Sequence, residues 1–171
     1  MAVTYDKIAT TTVSGSSVAS IDFTSISGSY TDLVIVGSIK AASATNPQPF
    51  VRFNGDSSSN YSAVNLYGTG STAGSTRFAS QSQIRLNYVV DPNTTEYTNM
   101  IMNIQNYSNT TTYKNTLTKL TLGGGSNSGL DISTGLWRST SAINRLTFTL
   151  ESTASNFAVG CVFTIYGILK A

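Results

Sequence analysis

The side chains here that could do chemistry are carboxylates: Asp6, Asp22, Asp32, Asp56, Asp91, Glu96, Asp131 and Glu151. Two carboxyls facing each other across a cleft can divide acid and base roles in glycoside hydrolysis, but the spacing of these eight assigns no two of them to one cleft. Their ordinary reading is as solvated loop residues and turn formers. The chain has no histidine, which removes Ser-His-Asp and Cys-His nucleophilic arrangements and the common Cys/His zinc sites. The single cysteine, Cys161, cannot close an intrachain disulfide. It lies in the apolar stretch Gly160-Cys161-Val162-Phe163, where a buried structural thiol is expected.

Three weaker signals remain. Asn54-Gly55-Asp56, followed by Ser57-Ser58-Ser59-Asn60, offers oxygen atoms to a calcium ion but lacks the acidic density and closing glutamate of an EF-hand loop. Asn-Gly is the dipeptide that most readily supplies positive φ, so Asn54, Gly55 and Asp56 are expected to form a tight hairpin turn. Gly123-Gly124-Gly125 is not followed by Lys-Ser/Thr or by a helical pattern, and reads as a connector rather than a phosphate cradle. Nine tyrosines could stack on sugars if they lie on exposed strands. No catalytic, cofactor-binding or metal-binding residue is expected from these signals.

The elements that must position such residues are strands. Period-two alternation recurs at Ala19-Ile21-Phe23, Leu33-Ile35-Ile39, Val51-Phe53, Val64-Leu66, Ile84-Leu86-Tyr88-Val90, Met100-Met102-Ile104, Leu120-Leu122, Leu146-Phe148-Leu150 and Cys161-Phe163-Ile165. Turn-forming clusters separate these segments, as in strands with one face buried and one wet. Gly68–Gly74 reads as a long exposed loop. Gly135-Leu136-Trp137-Arg138-Ser139 is the one plausible helical turn, with Trp137 plugging an end of the core. One domain over residues 1–171 is expected, an all-β antiparallel sandwich of about nine to eleven strands.

Charge is scarce: 10 Lys plus Arg stand against 8 Asp plus Glu in 171 residues, and nearly three residues in ten are Ser or Thr. The basic residues form no run, so no nucleic-acid-binding signature is present. The amino terminus, Met1-Ala2-Val3-Thr4-Tyr5-Asp6-Lys7, lacks the pattern of a secretory signal. No apolar stretch approaches the ~18 residues of a spanning helix. The expectation is a protein made and kept soluble in the cytosol, for which the sequons at Asn60, Asn93, Asn106 and Asn109 carry no weight. A surface of Ser, Thr and Asn, with few like charges to bring together, suits close packing against neighbouring subunits.

Read as a whole, the chain resembles small virion proteins of tailed bacteriophages, especially phages of cyanobacteria and other aquatic bacteria. The pieces that carry the likeness are Tyr5-Asp6-Lys7-Ile8-Ala9-Thr10, Tyr30-Thr31-Asp32-Leu33-Val34, Arg52-Phe53-Asn54-Gly55-Asp56 with Asn60-Tyr61-Ser62, Gly135-Leu136-Trp137, Asn156-Phe157-Ala158-Val159-Gly160 and Phe163-Thr164-Ile165-Tyr166-Gly167-Ile168. These are strand and turn signatures and carry over no catalytic position. The resemblance implies a jelly-roll sandwich in a virion, placed on the capsid as decoration or cement, or on the tail as an appendage. A chain that begins at Met1 and runs straight into strand-like sequence fits a freestanding decoration protein better. The expectation is therefore a capsid decoration protein whose partner is the major capsid protein, a homo-oligomer with a trimer favoured, binding no cofactor, nucleic acid or membrane. The alternative is a tail-appendage module that recognises host glycan.

Overall fold

The computed structural model describes residues 5–43, 47–124, 128–151 and 155–169, and among them there is no helix. The strands are β1 (Tyr5–Thr12), β2 (Ser20–Phe23), β3 (Asp32–Ile39), β4 (Gln48–Phe53), β5 (Tyr61–Gly68), β6 (Ala73–Gln81), β7 (Ile84–Arg85), β8 (Thr98–Ile104), β9 (Lys114–Leu122), β10 (Gly129–Trp137), β11 (Leu146–Glu151) and β12 (Val162–Ile168). They form two antiparallel sheets: a large one in the order β1-β12-β3-β8-β9-β10-β5-β6 and a small one in the order β2-β11-β4-β7.

The pairing explains the jelly-roll character. β5 pairs with β6, β4 with β7, β3 with β8 and β2 with β11, a nested set whose members fall alternately in the large and the small sheet. This is a long antiparallel ribbon rolled into a sandwich. Two additions widen the large sheet. β12 and β1 are appended beside β3, and the hairpin β9–β10 is inserted between β8 and β5. At about 4.8 Å per strand the large sheet spans roughly 38 Å and the small one roughly 19 Å. Connecting segments must therefore cover part of the large sheet's inner face.

The core lies between the sheets. Leu33, Ile35 and Ile39 of β3, Met100, Met102 and Ile104 of β8, and Phe163 and Ile165 of β12 face Ile21, Phe23, Val51, Phe53, Leu146 and Phe148, all buried in one cluster. Phe163 packs against Phe148 and Phe157 with ring centroids 5.0 and 5.5 Å apart. Cys161 is fully buried; its thiol donates to the Lys40 carbonyl, and burial pushes it above its ordinary pKa. Trp137 closes one end of the core, edge-on to Phe53 and stacked on Tyr61.

Four local expectations are corrected. The segment Gly135–Ser139 forms no helical turn: β10 runs through Trp137, held on both sides by β5 and β9. Gly68–Gly74 is no long loop but the tight turn of the β5–β6 hairpin, closed by Thr69 N–H donating to the Thr72 carbonyl at 2.9 Å, with Gly70 at φ +87°. The segment Ile84–Val90 is a strand only at Ile84–Arg85, after which the chain leaves the ladder. Asn54 and Gly55 form the expected tight turn, with φ of 52° and 71° and Asp56 N–H donating to the Phe53 carbonyl. That turn carries the chain from the small sheet to the large one, so it closes no hairpin. Among the described residues the strands number twelve, because β1, β6 and β10 join the nine segments marked by alternation.

Candidate docking face

The outer faces of the two sheets differ in chemistry. On the small sheet, the outward positions are polar except for buried Phe50 of β4: Asp22 of β2, Arg52 of β4, and Thr147, Thr149 and Glu151 of β11. Asp22 binds Arg145 at 2.7 Å and Thr147 at 2.6 Å. The large sheet turns aliphatic side chains to solvent instead. Its register aligns Thr10, Thr164, Val36, Ile101, Lys119, Ile132, Leu66 and Ser75 in one row across all eight strands. The flanking rows bring Leu117 and Val64 on one side and Leu130 on the other.

Of these, Leu66 is 57% exposed, Leu117 50%, Ile101 47%, and Val36 and Val64 43%. Lone exposed aliphatics are ordinary on protein surfaces, but a contiguous set on adjacent strands marks a contact surface. Shallow concavities lie between these side chains. One of about 360 Å³ is lined by Ser62, Val64, Arg77, Thr134 and Leu136, and one of about 210 Å³ by Leu66, Gly68, Leu130 and Ile132. The outward positions of β8, β9, β10, β5 and β6 include Lys119 and Arg77 but no carboxylate.

The inner side of β5, β9 and β10 reverses the usual arrangement. Asn65, Thr118 and Ser133 share one inward row and are buried, and Thr116 and Asp131 lie beside them. Ser133 donates to the Arg85 carbonyl, whereas the Asn65 amide and the Thr116 and Thr118 hydroxyls have no hydrogen-bond partner among the described residues. Burying such groups unpaired is costly. In β5 and β10 the aliphatic residues Val64, Leu66, Leu130 and Ile132 thus face out while polar residues face in, an arrangement expected when the outward side is itself covered.

Asp131 fixes this register. Its carboxylate, fully buried on the inner side of β10, accepts from three successive backbone N–H groups: Tyr88 at 3.0 Å, Val89 at 3.0 Å and Val90 at 2.7 Å. Those bonds replace the ladder the chain abandons after Arg85 and hold Leu86 and Val90 in the core. Slipping β10 by one residue would turn Asp131 outward and orphan all three donors.

The carboxylates singled out from sequence are placed separately. Asp56 Oδ2 accepts from Trp137 Nε1 at 2.7 Å and from Asn60, and Oδ1 from the Ser58 N–H. Burial acts to raise its pKa, but these hydrogen bonds, Trp137 foremost, outweigh it and hold the carboxyl at about 2. Asn54 clips the β10–β11 connection: its amide donates to the Ala142 carbonyl and its oxygen accepts from the Asn144 and Arg145 N–H groups. Asn54 and Asp56 are therefore committed to bracing the sandwich end. Gly123 follows β9 as a connector, and Gly125 lies outside the described residues. Asp91 and Asp131 are within electrostatic reach of each other, but the oxygens of Asp131 are buried against backbone donors, so this pair does not flank an open cleft.

Asp91 has a titration of its own. Desolvation pushes it up to about 6, against the hydrogen bond from Asn87 at 2.6 Å and the charge of Arg85. With its folded pKa above the ordinary 3.8, the folded state holds the extra proton, and stability falls as pH rises from about 4 to about 6. Asp56 acts in the opposite sense: its contribution is present above about 3.8 and lost as pH falls towards 2. Together they place the stability maximum near pH 4. Asp91→Asn keeps an oxygen for Asn87 and removes the penalty. After discounting for solvent screening, it is expected to gain about 1 kcal/mol at pH 7, roughly 2–4 °C in Tm, and nothing at pH 4. Thermal melts at both pH values check this, and an equal gain at each would contradict it.

Comparison with family models finds no match, and comparison with curated proteins and with solved structures finds no significant one. The signal that locates the face is internal to the chain. In β5 and β10 the apolar members of the alternation are opposite in sense to the carboxylate and amide that the fold buries.

Proposed function

We propose that this chain is a structural protein of a phage virion, a decoration protein that lies on the outer capsid lattice and reinforces it through the outer face of its large sheet. The observation that carries the reading is that aliphatic, carboxylate-free face, centred on a hairpin, β9–β10, that the nested jelly-roll pairing does not require. Outward rows about 6.8 Å apart cover roughly 20 Å along the strands, so the five strands β8, β9, β10, β5 and β6 present roughly 480 Å². That is a little over half the ~800 Å² each partner contributes to a standard stable interface, which suits a contact repeated over a lattice. The sparse Lys119 and Arg77 suit a partner surface that is apolar with a few acidic groups.

Decoration acts by mass action: contacts repeated over a symmetric shell stabilise the assembled state because they bind it and not its separated parts. With two cations on the central face, attachment depends weakly on salt. The tail-appendage alternative needs exposed aromatic rings for sugar stacking. Tyr5, Tyr88, Tyr97 and Tyr113 are exposed, but none of them lies on the outward positions of β8, β9, β10, β5 and β6.

The test is to strip the protein from capsids and re-add it across a range of ionic strength, while imaging its position and copy number on the virion. Many copies on the head, salt-insensitive re-binding and lowered heat resistance of stripped capsids are expected. A few copies on the tail, with adsorption to the host falling when they are removed, would replace this reading with the glycan-binding one.

A further inference from the structure

The free edge of β6 carries a second surface. In the β5–β6 hairpin, Thr69 N–H donates to the Thr72 carbonyl. Hydrogen-bonded and non-hydrogen-bonded pairs alternate from there, so Tyr67↔Gly74 and Asn65↔Thr76 exchange bonds while Gly68↔Ala73, Leu66↔Ser75 and Val64↔Arg77 do not. The N–H and C=O groups of Ala73, Ser75 and Arg77 therefore point away from the sheet. At the far end the edge is closed: the Gln81 amide donates to the Ala79 carbonyl at 2.8 Å, and a bulge with Ser80 at φ 54° turns the strand.

The other three edges are blunted. β1 carries a bulge between Lys7 and Ala9 and the adjacent charges Asp6 and Lys7. β2 is four residues long with Asp22 in an ion pair, and β7 has two residues. A straight run such as 73–77, with neither proline nor lysine and one arginine, lacks the devices that keep sheet edges apart.

The geometry points to pairing of β6 with β6 of a second copy, antiparallel about a twofold axis at Ser75. In that register Ser75 faces Ser75 of the other copy, and Ala73 faces Arg77. All the outward-pointing backbone groups then meet one another in about six inter-chain hydrogen bonds. The two guanidinium groups stay apart, each beside an alanine, and the remaining side chains are small enough to pass. Because Ser75 continues the row of Leu66 and Ile132, the two outer faces join into one surface of doubled area. The pairing is isologous, so it closes at a dimer, where a trimer was the favoured expectation. It does not depend on where the protein sits in a virion.

The experiment is light scattering on the purified protein over a range of concentration, with variants at the axis. The wild type is expected at twice the monomer mass. Ser75→Pro removes an N–H that no intrachain bond uses, and Ser75→Lys sets like charges face to face; each should weaken the dimer at least tenfold with an unchanged circular dichroism spectrum. If the proline variant fails to fold, the lysine variant decides. Ser75→Cys should give a covalent dimer on mild oxidation, since facing Cα atoms about 5.5 Å apart lie within disulfide reach. Ala79→Cys, outside the paired run, should not, and Cys161 is buried and takes no part. A monomeric or trimeric wild type overturns the proposal. So does a dimer that both axis variants leave intact, or equal cross-linking through residue 79.

Discussion

Replacing Asp131 with alanine is expected to destabilise the fold by about 3–5 kcal/mol, because three backbone donors lose their acceptor at once and each unpaired buried group costs about 1–3 kcal/mol. The Tyr88 N–H, beside a side chain 41% exposed, can turn to water, whereas Val90 is fully buried. The total therefore falls short of three full penalties. For a domain whose whole stability is about 5–15 kcal/mol this is a large share, and it should lower Tm by about 10 °C. Asp131→Asn keeps one carbonyl oxygen but turns an amide N–H₂ towards a donor, so an intermediate loss is expected. Urea unfolding measures both. Hydrogen exchange adds the location: the amides of residues 88–90 should lose protection first in the asparagine variant. A loss below 1 kcal/mol for Asp131→Ala would mean that the 86–90 segment is held by packing of Leu86 and Val90 alone.

That segment shows where sequence reading reaches and where it stops. Strand identity was legible wherever alternation continued for several residues, because burying every second side chain is the physical cause of the pattern; β3, β8, β11 and β12 follow it. Ile84-Leu86-Tyr88-Val90 alternates equally well, yet only its first two residues pair. A buried carboxylate 41 to 43 residues away supplies the backbone partners instead, and no local pattern encodes such a distant acceptor. The sense of alternation was also illegible in β5 and β10. Apolar Val64, Leu66, Leu130 and Ile132 would ordinarily mark the core face, whereas Tyr61, Ala63, Asp131 and Trp137 occupy it. Asn54-Gly55 announced a tight turn through its need for positive φ, but which strands it joins depends on sheet assignment, a long-range property. The aliphatic outer face was hidden for the same reason: it exists only once the register places residues from β3, β8, β9, β10 and β5 in adjacent rows.

Leu66→Asp combined with Ile132→Asp is therefore expected to leave the monomer folded and to abolish attachment to capsids. The two positions are directly paired across β5 and β10 and already 57% and 37% exposed, so the substitutions remove no core packing. Each is expected to cost the isolated protein less than about 1 kcal/mol, from lost strand preference and like charges side by side. In the attached state the same two carboxylates would be taken from water at the centre of the contact with only Lys119 near in the row. Central contact residues cost about 2 kcal/mol or more when lost, and an unpaired buried charge costs more still. Binding to stripped capsids should fall by at least about a hundredfold. Thr149→Asp, half-exposed on the outer face of the small sheet between Thr147 and Glu151, provides the control. If both the double variant and the control bind as the wild type does, the contact surface lies elsewhere on the molecule. If only the control fails, the small sheet faces the capsid and the aliphatic face of the large sheet serves contacts between neighbouring copies.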